Sequence, residues 1–253
     1  MTEKGTEQQR KYAKTGRGLD VVLAVAAILV LWPVMLTLAV AVRIDSRGPA
    51  VYREERLGRS GKPFSILKFR TLHPQSGDAS PLAPSDDSRV TRLGAWLRPV
   101  HLDELPQLFN ILRGEMRIVG PRPTKSELWD GVDEDLRRRA LAFAPGLTSP
   151  ATLRFNCEDD VLAEIGDPVT AYRDLLFPAK VALDVEYFEH RRHGNVLGSD
   201  LKIILATTGL VLGKRDERAC RRRIARLLAK ADSRNQSCLQ DPATGADADS
   251  GSS

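Results

Sequence analysis

The sequence predicts an α+β, mostly helical, membrane-associated (monotopic) chain with an N-terminal re-entrant helix hairpin, a small β element and amphipathic interfacial helices. Three observations carry this. Residues 21–42 contain no charged side chain, and about 22 such residues are enough to cross a hydrocarbon core of roughly 30 Å. Pro33 stands in the middle of that run, where proline removes a backbone hydrogen bond and bends or breaks a helix. Beyond it, segments with apolar residues at helical spacing outnumber those that alternate like strands.

The apolar run is flanked by cations on both sides. Lys11, Lys14 and Arg17 lie in a basic tail over residues 1–18, and Arg43, Arg47, Arg53 and Arg56 follow. Positive flanks favour the cytoplasm, so a membrane re-entrant helix over 19–43, broken at Pro33, satisfies both ends. A kinked spanning helix is the alternative. A cleaved signal peptide ending at Ala39-Val40-Ala41 ranks last, because the apolar run exceeds the usual length.

A cytoplasmic domain is expected over 44–213. Residues 63–72 read as a strand around Phe64, Ile66, Leu67 and Phe69, with Lys68 and Arg70 on one face. Residues 73–88, rich in Pro, Ser, Asp and Gly, read as a mobile loop. In 102–114, Leu105, Leu108, Phe109 and Leu112 recur at helical spacing and Gly114 fits a helix stop. Asp103 is then the expected N-cap and Glu104 a first-turn acid. The same position suits a carboxylate nucleophile, so cap and nucleophile both stand. Helices are expected over 126–142, 157–165 and 178–193, and an interfacial or buried one over 200–212. Residues 214–253 read as a basic helix containing Arg221-Arg222-Arg223, followed by a disordered tail.

The net charge of +5 fits anionic membranes, nucleotides or nucleic acid alike. A nucleic-acid binder is disfavoured, because the basic residues are scattered and the apolar run has no role in it. Cys157, Cys220 and Cys238 are odd in number and lack a CxxC pair, which argues against a disulfide framework and a zinc site and for a reducing compartment.

Several short motifs occur in a fixed order: Asp45-Ser46-Arg47-Gly48-Pro49, Glu55-Arg56-Leu57-Gly58, Lys68-Phe69-Arg70-Thr71, Leu102-Asp103-Glu104-Leu105-Pro106-Gln107, Gly120-Pro121-Arg122-Pro123 and Pro145-Gly146-Leu147-Thr148-Ser149. With the interrupted apolar run before them, they give a chain that resembles the bacterial sugar transferase family, the monotopic phosphoglycosyl transferases. The chain looks like the minimal catalytic version. The resemblance implies transfer of a sugar-1-phosphate from a UDP-sugar to a polyprenyl (undecaprenyl) phosphate, by way of a phosphosugar held on Asp103 and with release of UMP. It implies a catalytic pair, Asp103 and Glu104, that also holds Mg²⁺, and phosphate-binding cations Arg122, Lys68 and Arg70. A guanidinium between two prolines is the natural clamp for two phosphate oxygens. The implied location is the cytoplasmic face of the inner membrane, with membrane lipid as a further partner and homo-oligomerisation left open. Two departures stand out: Trp32 precedes Pro33 where many members have serine, and residues 148–155 replace a Thr-Gly-Trp-Ala-Gln-Val type segment. Sugar specificity therefore does not transfer.

Overall fold

The computed structural model describes residues 3–73, 89–191, 196–211, 213 and 216–240. In chain order it contains α1 (Glu3–Asp45), β1 (Val51–Leu57), β2 (Pro63–Phe69), α2 (Arg92–Leu97), α3 (Gln107–Arg113), β3 (Arg117–Val119), α4 (Glu134–Leu141), β4 (Gly146–Thr148), α5 (Pro150–Arg154), α6 (Glu158–Leu162), α7 (Pro168–Ala171), α8 (Phe177–Arg191), α9 (Val196–Val211) and α10 (Glu217–Gln240). Strands β1 and β2 form an antiparallel pair, and β3 and β4 a short parallel pair. The helix-rich, α+β character matches the sequence expectation. The loop expected over 73–88 lies, apart from His73, outside the described residues.

Helix α1 differs from the expected hairpin. It stays helical through Pro33, with no turn dividing it, and the basic tail from Glu3 onward is part of the same helix. Pro33 lacks the N–H that would reach the preceding turn. Four residues on, the Thr37 hydroxyl donates to the Pro33 carbonyl at 2.8 Å. One helix, Gly16–Asp45, is long and apolar enough to cross a membrane.

Both halves of α1 nevertheless rest on the same folded body. Arg17 donates to the carbonyls of Ile111 and Leu112, the latter at 2.8 Å, closing the C-terminus of α3. Asp20 pairs with Arg117 at 2.7 Å. Ala24, Ala27 and Ile28 pack with Ile66, Leu108, Ile111 and Met116. Beyond Pro33, Leu38 and Val42 pack with Phe69 and Leu97, and Asp45 accepts from the Leu93 amide at 3.1 Å. The opposite stripe, including Leu29, Val30, Trp32, Leu36, Val40 and Ile44, is exposed.

Three further expectations change. The 126–142 segment splits into a 3₁₀ turn, Ser126–Trp129, and α4, whose N-cap Asp133 accepts from the Leu136 amide. Helix α10 runs to Gln240, through part of the tail expected to be disordered. Cys157 and Cys220 are joined in a disulfide, contrary to the no-disulfide expectation. Their separation of 63 residues hides the pairing, which arises because Ile224, Leu227 and Leu228 of α10 pack onto the core that contains Val161 and Leu162 of α6.

The strand that carries Lys68 is held to α3 by one side chain. Asn110 is fully buried. Its Oδ1 accepts from the Leu67 amide at 3.0 Å, and its Nδ2 donates to the Ser65 carbonyl at 2.8 Å and to Glu115 Oε2 at 2.7 Å. Removing such a group strands a buried backbone donor. Asn110→Ala is expected to destabilise the fold by about 1–3 kcal/mol, read as a lower thermal midpoint of the detergent-solubilised protein.

Candidate active site

The 102–114 stretch is built differently from the expected capped helix. A left-handed residue, His101 (φ 56°), turns the chain between two 3₁₀ turns, Arg98–Val100 and Leu102–Glu104, and α3 starts only at Gln107. Pro106, whose side chain makes no capping hydrogen bond, occupies the N-cap position. Asp103 is therefore not the cap. It and Glu104 are set in the 3₁₀ turn and buried. Gly114, at φ 87°, ends α3 as the spacing predicts.

Arg122 is delivered by the parallel strand pair. The Arg117 amide donates to the Pro145 carbonyl at 2.8 Å, Gly120 to Thr148 at 3.0 Å and Gly146 to Pro121 at 2.8 Å. A Cβ on Gly120 would lie 2.5 Å from the Ala144 carbonyl oxygen, and one on Gly146 2.1 Å from the Gly120 nitrogen. Only glycine allows the two backbones this approach. From the other side, the Leu57 amide donates to the Thr124 carbonyl at 3.0 Å, so the Glu55-Arg56-Leu57-Gly58 motif buttresses the proline-flanked arginine.

These supports converge on Glu104. Lys68 Nζ donates to its Oε1 at 3.0 Å, Arg122 Nη1 to its Oε2 at 3.3 Å, and Arg122 Nη2 to its Oε1. Burial opposes ionisation of Glu104, but the Arg122 and Lys68 charges and hydrogen bonds outweigh it and hold the carboxyl well below the usual range. The neighbouring carboxyl behaves oppositely. Burial, helped by the Glu104 charge, pushes Asp103 up to about 6 against the pull of Lys68, Arg122 and Arg98.

Asp103, Glu104, Lys68 and Arg122 are thus brought together. Arg70 is not. It is buried and donates to the Ser46 carbonyl at 2.6 Å, the Ser46 hydroxyl at 3.0 Å and the Pro49 carbonyl, tying down the chain after α1. It lies past the end of β2, so the shared face expected from strand alternation leads to a different neighbour.

For a metal, the chain offers two adjacent carboxylates, and no group of three or more His, Cys, Asp or Glu among the described residues. That donor set fits a hard cation such as Mg²⁺, which is held by one or two carboxylates and completes its shell with substrate phosphates and water.

Sequence reasoning missed a second ring. Lys180 donates to both Glu158 oxygens at 2.6 Å and sits 5.3 Å from the Tyr172 ring centroid. The Glu158 charge acts in turn on Arg122. The signal was a lysine and an aspartate, Lys180 and Asp184, on the same helical stripe as Phe188, where a buried charge needs a partner.

A family model described as bacterial sugar transferase matches residues 11–214. The chain is 37% identical over 199 residues to a UDP-glucose:undecaprenyl-phosphate glucose-1-phosphate transferase of Caulobacter vibrioides, covering 78% of this chain and 69% of that protein. It is 35% identical over 200 residues to an undecaprenyl-phosphate glucose phosphotransferase of Komagataeibacter xylinus, covering 76% of this chain and 34% of that protein. It is 39% identical over 126 residues to a UDP-N-acetylgalactosamine-undecaprenyl-phosphate N-acetylgalactosaminephosphotransferase of Aeromonas hydrophila, covering 49% and 30%.

The burial of Asp103 has a measurable cost. Its folded-state pKa lies above the ordinary carboxylate value, so folding favours the protonated form and the ionised group destabilises the protein above that pKa. Asp103→Asn is expected to stabilise the fold by about 3 kcal/mol at pH 7–8. The gain should shrink as pH falls through about 6 and vanish near the unfolded value, as followed by thermal midpoint against pH.

Proposed function

The chain belongs to the bacterial sugar transferase family, and we propose that it transfers a sugar-1-phosphate from a UDP-sugar to a polyprenyl phosphate at the cytoplasmic face of the inner membrane. The observation that carries this is the clamp of Lys68 and Arg122 on Glu104, set directly beside the buried Asp103.

In the first step an Asp103 oxygen attacks the β-phosphorus of the UDP-sugar. The bond from that phosphorus to the bridging oxygen breaks, UMP leaves, and the sugar-phosphate remains as an acyl phosphate on Asp103. In the second step a phosphate oxygen of the polyprenyl phosphate attacks the same phosphorus and frees the carboxylate, giving a polyprenyl-diphosphate sugar. A carboxylate approaches an anionic phosphate only where positive charge is already in place. Lys68 and Arg122, held by Glu104, supply it without reorganising, and Arg122 can face two phosphate oxygens at once. Glu104 is the positioning residue, kept anionic by the cations it holds. Mg²⁺, bound through Asp103 or Glu104 and the substrate phosphates, would add charge neutralisation.

The membrane arrangement follows from α1. Its two ends tie to one body through Arg17, Asp20 and Asp45, which supports both ends lying on one side of the bilayer with the exposed stripe in lipid. A site held there reaches a soluble nucleotide and a lipid phosphate alike.

A UMP-release assay over several UDP-sugars, with and without polyprenyl phosphate, tests the reaction. Asp103→Asn should lower UMP release by on the order of 10⁴-fold. Multiple turnover should require the lipid phosphate; turnover without it would assign the site to hydrolysis. Activity of the natural chain should fall about tenfold per pH unit below the Asp103 pKa. For the topology, Gly18→Cys and Arg47→Cys should both react with an impermeant thiol reagent from the cytoplasmic side of inverted vesicles. Labelling of the two from opposite sides would refute the monotopic arrangement.

A further inference from the structure

A partly enclosed slot of about 40 Å³ adjoins Arg122. Arg122, Thr124, Trp129, Tyr172, Phe177 and Lys180 line it. Thr124 and Trp129 are 7% and 5% exposed, and among the described residues neither the Thr124 hydroxyl nor the Trp129 indole N–H has a hydrogen-bond partner. An unpaired buried donor costs about 1–3 kcal/mol. Two of them on one slot, beside a catalytic cation, mark a place where a ligand brings the acceptor.

The chemistry of that ligand can be narrowed. Lys180, on the same slot, is engaged by both oxygens of Glu158 and by the Tyr172 ring. The two unpaired groups are neutral donors and the wall beside them is aromatic, which suits a neutral acceptor with an apolar part against Tyr172 and Phe177. One water needs about 10–15 Å³ of such space, so the slot admits a group of about three heavy atoms. A carbonyl with its methyl fits.

Position agrees with size. On the UDP-sugar reading, on which this inference rests, Arg122 holds the phosphate bonded to the sugar's anomeric oxygen. The C2 substituent sits on the carbon next to the anomeric one, whereas the base is separated from that phosphate by the ribose and the α-phosphate. We infer that the slot receives the acetamido group of a 2-acetamido sugar. Its carbonyl oxygen accepts from the Trp129 indole N–H and the Thr124 hydroxyl, and its methyl packs on the aromatic wall. Thr124 and Trp129 are then specificity-determining residues.

Binding to full-length Asp103→Asn, followed by titration calorimetry, tests this without turnover. UDP-N-acetylgalactosamine and UDP-N-acetylglucosamine should bind at least about tenfold more tightly than UDP-galactose and UDP-glucose, the sum of two hydrogen bonds. Adding Thr124→Val or Trp129→Phe should each reduce that preference about 3–10-fold, with thermal midpoints verifying that the variants are folded. Equal affinity for the acetamido and hydroxyl sugars would overturn the inference, and that comparison needs no slot variant. So would a preference that neither substitution changes, or equal losses for all four sugars and for UMP, which would give the slot to the nucleotide. A natural chain that releases no UMP from any sugar would sink the proposed reaction, and the binding comparison would still decide the slot.

Discussion

The carboxylate of Glu104 is the point at which three distant parts of the chain meet. Lys68 comes from β2, Arg122 from the turn after β3, and Glu104 from the 3₁₀ turn ahead of α3. An ion cluster built on a buried carboxylate is poor at stabilising a fold, because desolvation of that carboxylate consumes most of the Coulombic gain. Losing a cation is costly, since the buried Glu104 carboxylate is then less fully compensated. The surrounding structure therefore has to deliver all three groups together. Asn110 fixes β2 on α3, and the Gly120 and Gly146 contact fixes the turn bearing Arg122. Each motif outside the reacting residues is explained by what it holds in place.

The membrane element enters the same framework. Arg17 closes the last carbonyls of α3, the helix that follows the turn bearing Asp103 and Glu104, and Arg70 closes the chain just past the other end of α1. A lipid-facing helix that was merely an anchor would need one attachment. Here Ala24 and Ile28 pack on α3 and β2 before Pro33, and Leu38 and Val42 pack on β2 and α2 after it. The site and its anchor are one packed unit, so movement of α1 in the bilayer would be felt at β2 and hence at Lys68.

Local signals were legible in the sequence wherever the physics is local. The apolar run and the Gly114 stop depend on composition or the left-handed preference of glycine and appear where expected, and the alternating strand forms over Pro63–Phe69, ending three residues early. What failed depends on tertiary partners. The Asp103 cap was inferred from an acid ahead of an apolar period, yet Pro106 lies between them and the helix begins after it. Strand alternation groups Arg70 with Lys68, but the strand ends at Phe69 and the carbonyls of Ser46 and Pro49 after α1 capture the guanidinium. The Cys157–Cys220 bond and the Glu158–Lys180 pair link residues far apart in the chain, and no window-based pattern carries that information.

Two adjacent carboxyls have opposite fates, and the proposed reaction gives them different roles. Both are buried, so desolvation alone would raise both. Lys68 and Arg122 bond directly to Glu104, and their charges reach Asp103 only as neighbours. Glu104 is thereby held as an anion, with three hydrogen bonds on its two oxygens that make it the weaker nucleophile. Asp103 is left in a desolvated setting with a pKa near 6, ionised at neutral pH but poorly stabilised. A nucleophile needs that condition, since a carboxylate well satisfied by hydrogen bonds would lose reactivity. The helix cap suggested by the sequence would have supplied the opposite, an acid stabilised by backbone amides. The 3₁₀ turn and Pro106 remove that stabilisation, and the reactivity assigned to Asp103 depends on the cap being absent.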